Sequence, residues 1–429
     1  MEDKSTHQAR KLIRRSSGEL KRLLQELVRT NSVAMPPGGN ETPAQLVLQS
    51  FFRQQGLRPD LYPTDFIQKS GHQAVRTNRT YRGRKNLSVR LSGTGRGKSL
   101  LLNGHMDTVP PGKAAWSRSP WSGAFHNGAV HGLGSFDMKG GLVANAAVVC
   151  ALHQAGIRTG GDILFESVVD EEWGGGGGTI AARLHDGNPD ACVIPEGTQL
   201  EIYRATRGGF VVDLTVDAGD SSAYFSKAEV PSPAIAIGRL LGWVEAVGKQ
   251  RSTVKATDAY AAFPDPVPVQ VLAVEANGLA TEFPLSVPTQ AAVRVYFQFL
   301  PDENVDAVIQ EVEKSLRQFE CTDPFFSKHP ILWKPPIGSP LLGTTLEVNH
   351  PWVRCIAASA HVVTGRAPVM TGAPYPCDAG LIQREFGIPT LLFGPTGAGA
   401  HNPEEYVDFE SVLTTAEVLL TAALQWANG

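Results

Sequence analysis

One stretch constrains this chain more than any other: Gly132-Leu133-Gly134-Ser135-Phe136-Asp137-Met138-Lys139-Gly140-Gly141, followed at once by the apolar run 142–152. A single carboxylate in a glycine-bounded turn, just ahead of a helix, is how a chain delivers one acid to the edge of a sheet and then leaves. Taken alone, Asp137 reads equally well as a helix N-cap. Four other acid- or histidine-bearing turns decide the matter, and the rest of the chain shows where they sit.

At 429 residues the chain exceeds one ordinary core, so two domains are expected. A formal net charge of −3, with 19% charged residues, argues against a nucleic-acid or membrane-surface protein. Cys150, Cys192, Cys321, Cys355 and Cys377 are scattered without C-x-x-C spacing, as in a reduced, cytoplasmic protein. The charged N-terminus has no apolar signal-peptide core, and no apolar run reaches the ~18–20 residues that span a bilayer.

Helical spacing of apolar residues predicts helices over 17–29 and 43–55, and short apolar runs predict strands over 86–91 and 98–103, the second built on three consecutive leucines. Gly93-Thr94-Gly95-Arg96-Gly97-Lys98-Ser99 is one residue short of a phosphate-binding loop and leads into a strand, so it reads as a polar hairpin turn. Helix 142–154, strand 163–169, helix 179–185 and strand 191–195 then alternate, the rhythm of a largely parallel sheet flanked by helices. After Arg207-Gly208-Gly209 the pattern becomes an alternating strand, a helix, two strands and a helix. That order predicts a smaller α+β domain inserted at about 205–320, between catalytic parts 1–204 and 321–429. The first rhythm resumes beyond about 351, with a final helix over 409–426.

The first of the five turns is Asn103-Gly104-His105-Met106-Asp107, where His105 and Asp107 are two apart and the acid can orient the imidazole. The second carries Asp137. The third is Val169-Asp170-Glu171-Glu172-Trp173, followed by five glycines. Three successive acids raise one another's pKa, so a solvated turn competes with a site in which one Glu binds metal and its neighbour takes a proton from water. Pro195-Glu196-Gly197 is the fourth and Gly397-Ala398-Gly399-Ala400-His401-Asn402-Pro403-Glu404-Glu405 the fifth. Each is weak singly. Together all five are expected to follow strands of one α/β layer, the edge where open sheets place their sites. Two His, an Asp and two Glu suit zinc or a similar divalent ion, with one carboxylate shared between two ions.

The motifs NGHMDTVPP, GLGSFDMKGG, VVDEEWGG, IPEGT and FGPTGAGAHNPEEY run in order over nearly the whole chain. They resemble the co-catalytic metallopeptidase family of aminoacylase, acetylornithine deacetylase, succinyl-diaminopimelate desuccinylase and glutamate carboxypeptidase. The resemblance implies a catalytic domain interrupted by a lid that makes a homodimer. It implies that His105 and Glu196 hold one divalent ion, that Glu172 and His401 hold the other, and that Asp137 bridges them, with a non-proline cis peptide after it. Asp107 would buttress His105. Glu171 would be general base and acid in the hydrolysis of a C–N bond of a small molecule by a metal-activated water. Zinc heads the expected metals, with manganese or cobalt as alternatives.

The departures lie on the substrate side. Ala223 stands where the family carries a lid histidine, and no other histidine falls within 205–320; Tyr224 is the nearest replacement donor. Arginines that would grip a substrate carboxylate are also missing, Gln298 occupying one such place, which leaves Arg207 and Arg294 as candidates. An amide or peptide hydrolase is therefore the first expectation. A hydrolytic deaminase of an aromatic amine such as a nitroanthranilate is the second, and a catalytically silent metal-binding protein the third.

Overall fold

The segment Leu100–His105 forms a strand with all six residues buried, inside a nine-stranded sheet. A strand covered on both faces has no use for alternation, which is why Leu100, Leu101 and Leu102 follow one another without a polar residue between them. The computed structural model describes residues 4–76, 78–218, 232–276, 288–335 and 340–429. Two units are present: 1–206 with 344–373 and 377–429, and 207–343 with 374–376.

The first unit begins with α1 (Lys4–Arg15), α2 (Ser17–Arg29), α3 (Thr42–Gln54), β1 (Asp60–Pro63), β2 (Lys85–Leu91) and β3 (Leu100–His105). A hairpin of β4 (Ala124–His126) and β5 (Ala129–His131) precedes α4 (Gly140–Gln154). Then come β6 (Ile163–Val168), α5 (Thr179–Asp186), β7 (Cys192–Ile194) and β8 (Ile202–Thr206). The second unit holds β9 (Gly208–Asp217), α6 (Pro233–Arg251), β10 (Val269–Ala276), β11 (Gln290–Phe299), α7 (Val305–Thr322) and β12 (Leu332–Lys334). The chain returns through β13 (Thr344–Thr345), α8 (Pro351–Thr364), β14 (Met370–Ala373), α9 (Ala379–Phe386) and β15 (Thr390–Leu392). It ends in β16 (Gly397–Ala398), β17 (Tyr406–Asp408) and α10 (Phe409–Asn428).

The large sheet runs β1-β2-β6-β3-β7-β15-β8-β13, with β14 also on β8. Its middle strands β6, β3, β7 and β15 are mutually parallel, and the flanking pairs β1–β2, β2–β6 and β15–β8 are antiparallel. Helices α1 to α4, α8 and α10 share one core with it, while α5 packs on β6 and α9 on β15. Helix α4 is buried continuously from Gly140 to Leu152, so it shows no polar face. The helical stretch Ser135–Gln154 is apolar and long enough to cross a membrane, but 94% of its most apolar 18-residue window is buried in this core.

In the second unit the antiparallel order β10-β11-β9-β12 carries α6 and α7. Phe210, Val212, Leu214 and Val216 of β9 face those helices, which explains the alternation seen in the sequence. The unit runs past 320, the expected end of the insertion, to Gly343, because β12 adds a strand to β9. It therefore contains a histidine after all: His329, whose ring lies 4.7 Å from that of Phe325. One further expectation is corrected. The Asp137 turn follows β5 and the His401 turn follows β16, both in the separate small sheet β16-β17-β5-β4, not in the layer that supplies the other three turns.

Candidate metal centre

His105 ends β3, Glu171 and Glu172 follow β6, Glu196 follows β7, and His401 lies in the loop between β16 and β17. All of them, with Asp137, belong to the first unit. The turn Ser135–Lys139 brings Asp137 to them, and the Asp137–Met138 peptide is cis. Gly141 permits this approach, since a Cβ there would sit 1.9 Å from the Pro195 carbonyl oxygen. Any side chain would push the start of α4 away from the Glu196 turn.

The decisive geometry is at Asp137. Its Oδ1 lies 3.1 Å from His105 Nε2, and its Oδ2 lies 3.1 Å from His401 Nε2. Glu196 Oε1 is 3.6 Å from His105 Nε2, and Glu172 Oε2 is 2.9 Å from His401 Nε2. One carboxylate thus separates two His–Glu pairs, each oxygen serving one pair. One donor atom from each of His105, Asp137 and Glu172 lies within 4.8 Å of the others, a group that could hold an ion. Imidazole nitrogen and carboxylate oxygen together suit a divalent transition metal. Glu171 stands beside this group, its Oε2 3.9 Å from His105 Nε2.

The charge balance points the same way. Among the described residues, no lysine or arginine pairs with Asp137, Glu171, Glu172 or Glu196. Burial pushes the carboxyl groups of Glu171 and Glu172 up, and that of Glu196 up to about 8. Asp137 goes the other way: burial opposes its charge, but hydrogen bonds from His105 and His401 hold it below the usual range. The charge of Glu172, followed by the hydrogen bond to Asp137, raises His401. A divalent ion would supply the missing positive charge and displace protons as it bound.

The three successive acids coexist because they point apart. Asp170 adopts φ 70°, in the left-handed region, and turns its carboxylate away from its neighbours. Its Oδ1 accepts from Arg79 Nε at 3.0 Å and Arg84 Nη1 at 2.9 Å, and its Oδ2 from Tyr81 at 3.0 Å. Arg84 also donates to Glu41. The glycine run serves this packing, since Gly177 lies against the Tyr81 ring and Gly175 against Asp378.

Asp107 divides its tasks in a way the H-x-D spacing does not reveal. His105 Nδ1 is 3.0 Å from the backbone oxygen of Asp107 but 3.6 Å from its carboxylate, beyond a good hydrogen bond. The carboxylate instead accepts the amides of Glu171 at 3.2 Å and Glu172 at 3.1 Å. The main chain orients the imidazole, and the side chain fixes the two glutamates.

The substrate-side candidates fare differently. Ala223 and Tyr224 lie outside the described residues. Arg207 donates to Gln298 Oε1 and to the Asp265 carbonyl, both at 2.9 Å, with the Phe263 ring 4.8 Å away. Arg294 is paired with Asp213 at 2.6 Å. Sequence reasoning passed over Asp170, Arg79, Arg84 and Glu405. Glu405 and Asp170 had a local signal, each standing beside other acids in a motif that carries a site residue, whereas Arg79 and Arg84 had none.

The profile of Peptidase family M20/M25/M40 matches residues 101–425. The chain belongs to that family. This M20 chain is accordingly an enzyme, a metal-dependent hydrolase of C–N bonds. It is 24% identical over 434 residues to an N-formyl-4-amino-5-aminomethyl-2-methylpyrimidine deformylase of Halalkalibacterium halodurans, covering 96% of this chain and 95% of the relative. A succinyl-diaminopimelate desuccinylase of Gluconacetobacter diazotrophicus is 26% identical over 414 residues, 92% of this chain and 94% of the relative. In fold, the di-peptidase Dug1p of Saccharomyces cerevisiae superposes with a TM-score of 0.77 at 15% identity, over 98% of each chain.

Proposed function

We propose that the chain hydrolyses the amide bond of a small N-acyl compound at a centre of two divalent ions, zinc, manganese or cobalt. The observation that carries this is Asp137, whose two oxygens face His105 and His401 separately at 3.1 Å each. In this reading His105 and Glu196 would hold one ion, His401 and Glu172 would hold the other, and Asp137 would serve both. Bound there, the ions supply Lewis-acid polarisation of the acyl oxygen and of a water. Glu171 takes a proton from that water as its oxygen bonds to the acyl carbon. It then returns the proton to the nitrogen as the C–N bond breaks, leaving a carboxylic acid and an amine. Burial raises the proton affinity of Glu171, as a group that must both accept and donate requires. Asp107, through the Glu171 amide, keeps the base aimed.

An N-acyl compound is favoured over an amino-acid carboxylate because both candidate arginines have partners within their own unit: Arg207 is bonded to Gln298 and Arg294 to Asp213. The sequence relationship to a deformylase and a desuccinylase, both of which remove acyl groups by name, supports the same class. The test is a metal-loaded screen over N-formyl and N-succinyl amines, dipeptides and aromatic amines. Amine release from the N-acyl set, abolished by chelator, is expected. Ammonia release from the aromatic amines alone would show a deaminase, and no turnover of any compound would overturn the reading.

The working unit is proposed to be a homodimer formed by the second unit. Strand β10 pairs only with β11 among the described residues, and Val271, Leu272 and Val274 on it are 42%, 52% and 51% exposed. An apolar edge strand left open is a template for another chain, and a second copy pairing there would cover it. Leu272→Lys with Val274→Lys is expected to convert a dimer into a folded monomer in sedimentation experiments. A variant that still sediments as a dimer would place the interface elsewhere.

A further inference from the structure

Glu405 lies four residues after His401, buried to 1% exposure. Its carboxylate reaches back across the first unit to the turn that carries Asp137. Oε2 accepts the Gly134 amide at 2.7 Å, while Oε1 accepts the amides of Phe136 at 2.8 Å and Asp137 at 3.0 Å. Its backbone oxygen accepts the Gly132 amide at 2.9 Å, and the next residue, Tyr406, pairs with His131 at the end of β5. Among the described residues no arginine or lysine forms an ion pair with it, and three main-chain amides are the partners of its carboxyl group, in the manner of a nest. The preceding Glu404 behaves otherwise. It faces outward and holds Ser117 through that residue's amide at 2.6 Å and hydroxyl at 2.5 Å.

We propose that Glu405 is a positioning residue for the metal centre, holding the Asp137 turn against the His401 loop so that Asp137 meets both histidines. The inference rests on the two-ion reading above. Asp137 can serve both pairs only while its backbone stays where its amide is anchored. A single carboxylate supplies that anchor from the same segment that delivers His401. The two ligand-bearing turns, at 137 and 401, are thereby one mechanical piece. An ordinary capping role predicts only a loss of stability when Glu405 is altered. A positioning role predicts a loss of metal affinity beyond it.

Glu405→Gln separates the two. The glutamine keeps the shape but places an NH2 group where one oxygen now accepts an amide, so at least one of the three hydrogen bonds becomes a donor–donor clash. Cobalt(II) is titrated into metal-free chain and followed by its visible absorption, alongside the unfolding midpoint of the metal-free protein. The wild type is expected to take up two cobalt ions. Glu405→Gln is expected to lose about 10- to 100-fold in cobalt affinity, the range for residues that orient ligands, with a changed spectrum. Glu404→Gln should match the wild type in both. Wild-type affinity and spectrum in Glu405→Gln would overturn the proposal.

If that variant does not fold, Glu405→Asp decides. Its carboxylate is drawn back by about 1.5 Å, one C–C bond, and cannot hold all three amides. Weakened cobalt binding supports the positioning role, and wild-type binding refutes it. A wild-type chain that takes up no cobalt sinks the two-ion reading and this proposal together, whereas normal wild-type uptake with an indifferent Glu405→Gln sinks this proposal alone.

Discussion

Glu171→Gln is expected to lower kcat by about 10²–10⁴-fold, the usual contribution of a positioned general base, while KM and metal content stay near their wild-type values. The substitution changes little else. The residue's link to Asp107 runs through its backbone amide, which glutamine keeps. Its carboxylate is not among the three groups whose donor atoms cluster within 4.8 Å. Glutamine fills the same space but cannot take a proton from water. The neighbouring Glu172→Gln should behave differently, losing metal first and activity as a consequence, because Glu172 Oε2 lies 2.9 Å from His401 Nε2 within the donor group. Steady-state kinetics with metal quantified in the same samples separates the two roles. Retention of more than a tenth of the rate in Glu171→Gln would remove it as the base. Loss of metal in that variant would move it into the ligand set.

Much of this was legible because the chemistry sits at the ends of strands whose apolar sequence and turn residues mark them. His105, Glu172 and Glu196 each follow such a strand, and each could be placed at a sheet edge from local pattern alone. The Asp137 turn was recognised by its glycines, but its supporting strand β5 has only three residues, too few for any periodicity to register. Helix α1 was passed over because five of its twelve residues are lysine or arginine and few are apolar. It folds because Ala9 and Ile13 are buried and Arg14 pairs with Glu417, some 400 residues on. The end of the insertion was misjudged because it is fixed by the pairing of β12 with β9, a contact between distant segments. The division of Asp107 between its carbonyl and its carboxylate depends on distances of a few tenths of an ångström, which spacing in a sequence does not encode. The clearest case is Asp170-Glu171-Glu172. Three adjacent acids suggest repulsion until the left-handed backbone at Asp170, and arginines 86 and 91 residues earlier, send the first away from the other two.

That arrangement gives the second large expectation: Asp170→Asn should destabilise the protein by about 3–5 kcal/mol, the cost of leaving a buried charge without its partner. Asn is the informative substitution because it tolerates the left-handed region nearly as well as Asp, so the backbone at φ 70° is not the variable. What changes is charge. Arg79 and Arg84 are 3% and 2% exposed, and both donate to Asp170 Oδ1. Arg84 retains Glu41, but Arg79 loses its carboxylate, and the new amide NH2 must face either a guanidinium or the Tyr81 hydroxyl. The urea midpoint of unfolding, compared with that of the wild type, measures the cost; a change worth less than about 1 kcal/mol, the scale of an exposed ion pair, would show that the network is solvated in solution. Asp170 also sets the direction from which Glu171 and Glu172 leave β6, so the folded fraction of the variant should bind metal more weakly. Loss of stability with undiminished metal affinity would confine the Asp170 network to a structural role and leave Asp107 as the sole anchor of the two glutamates.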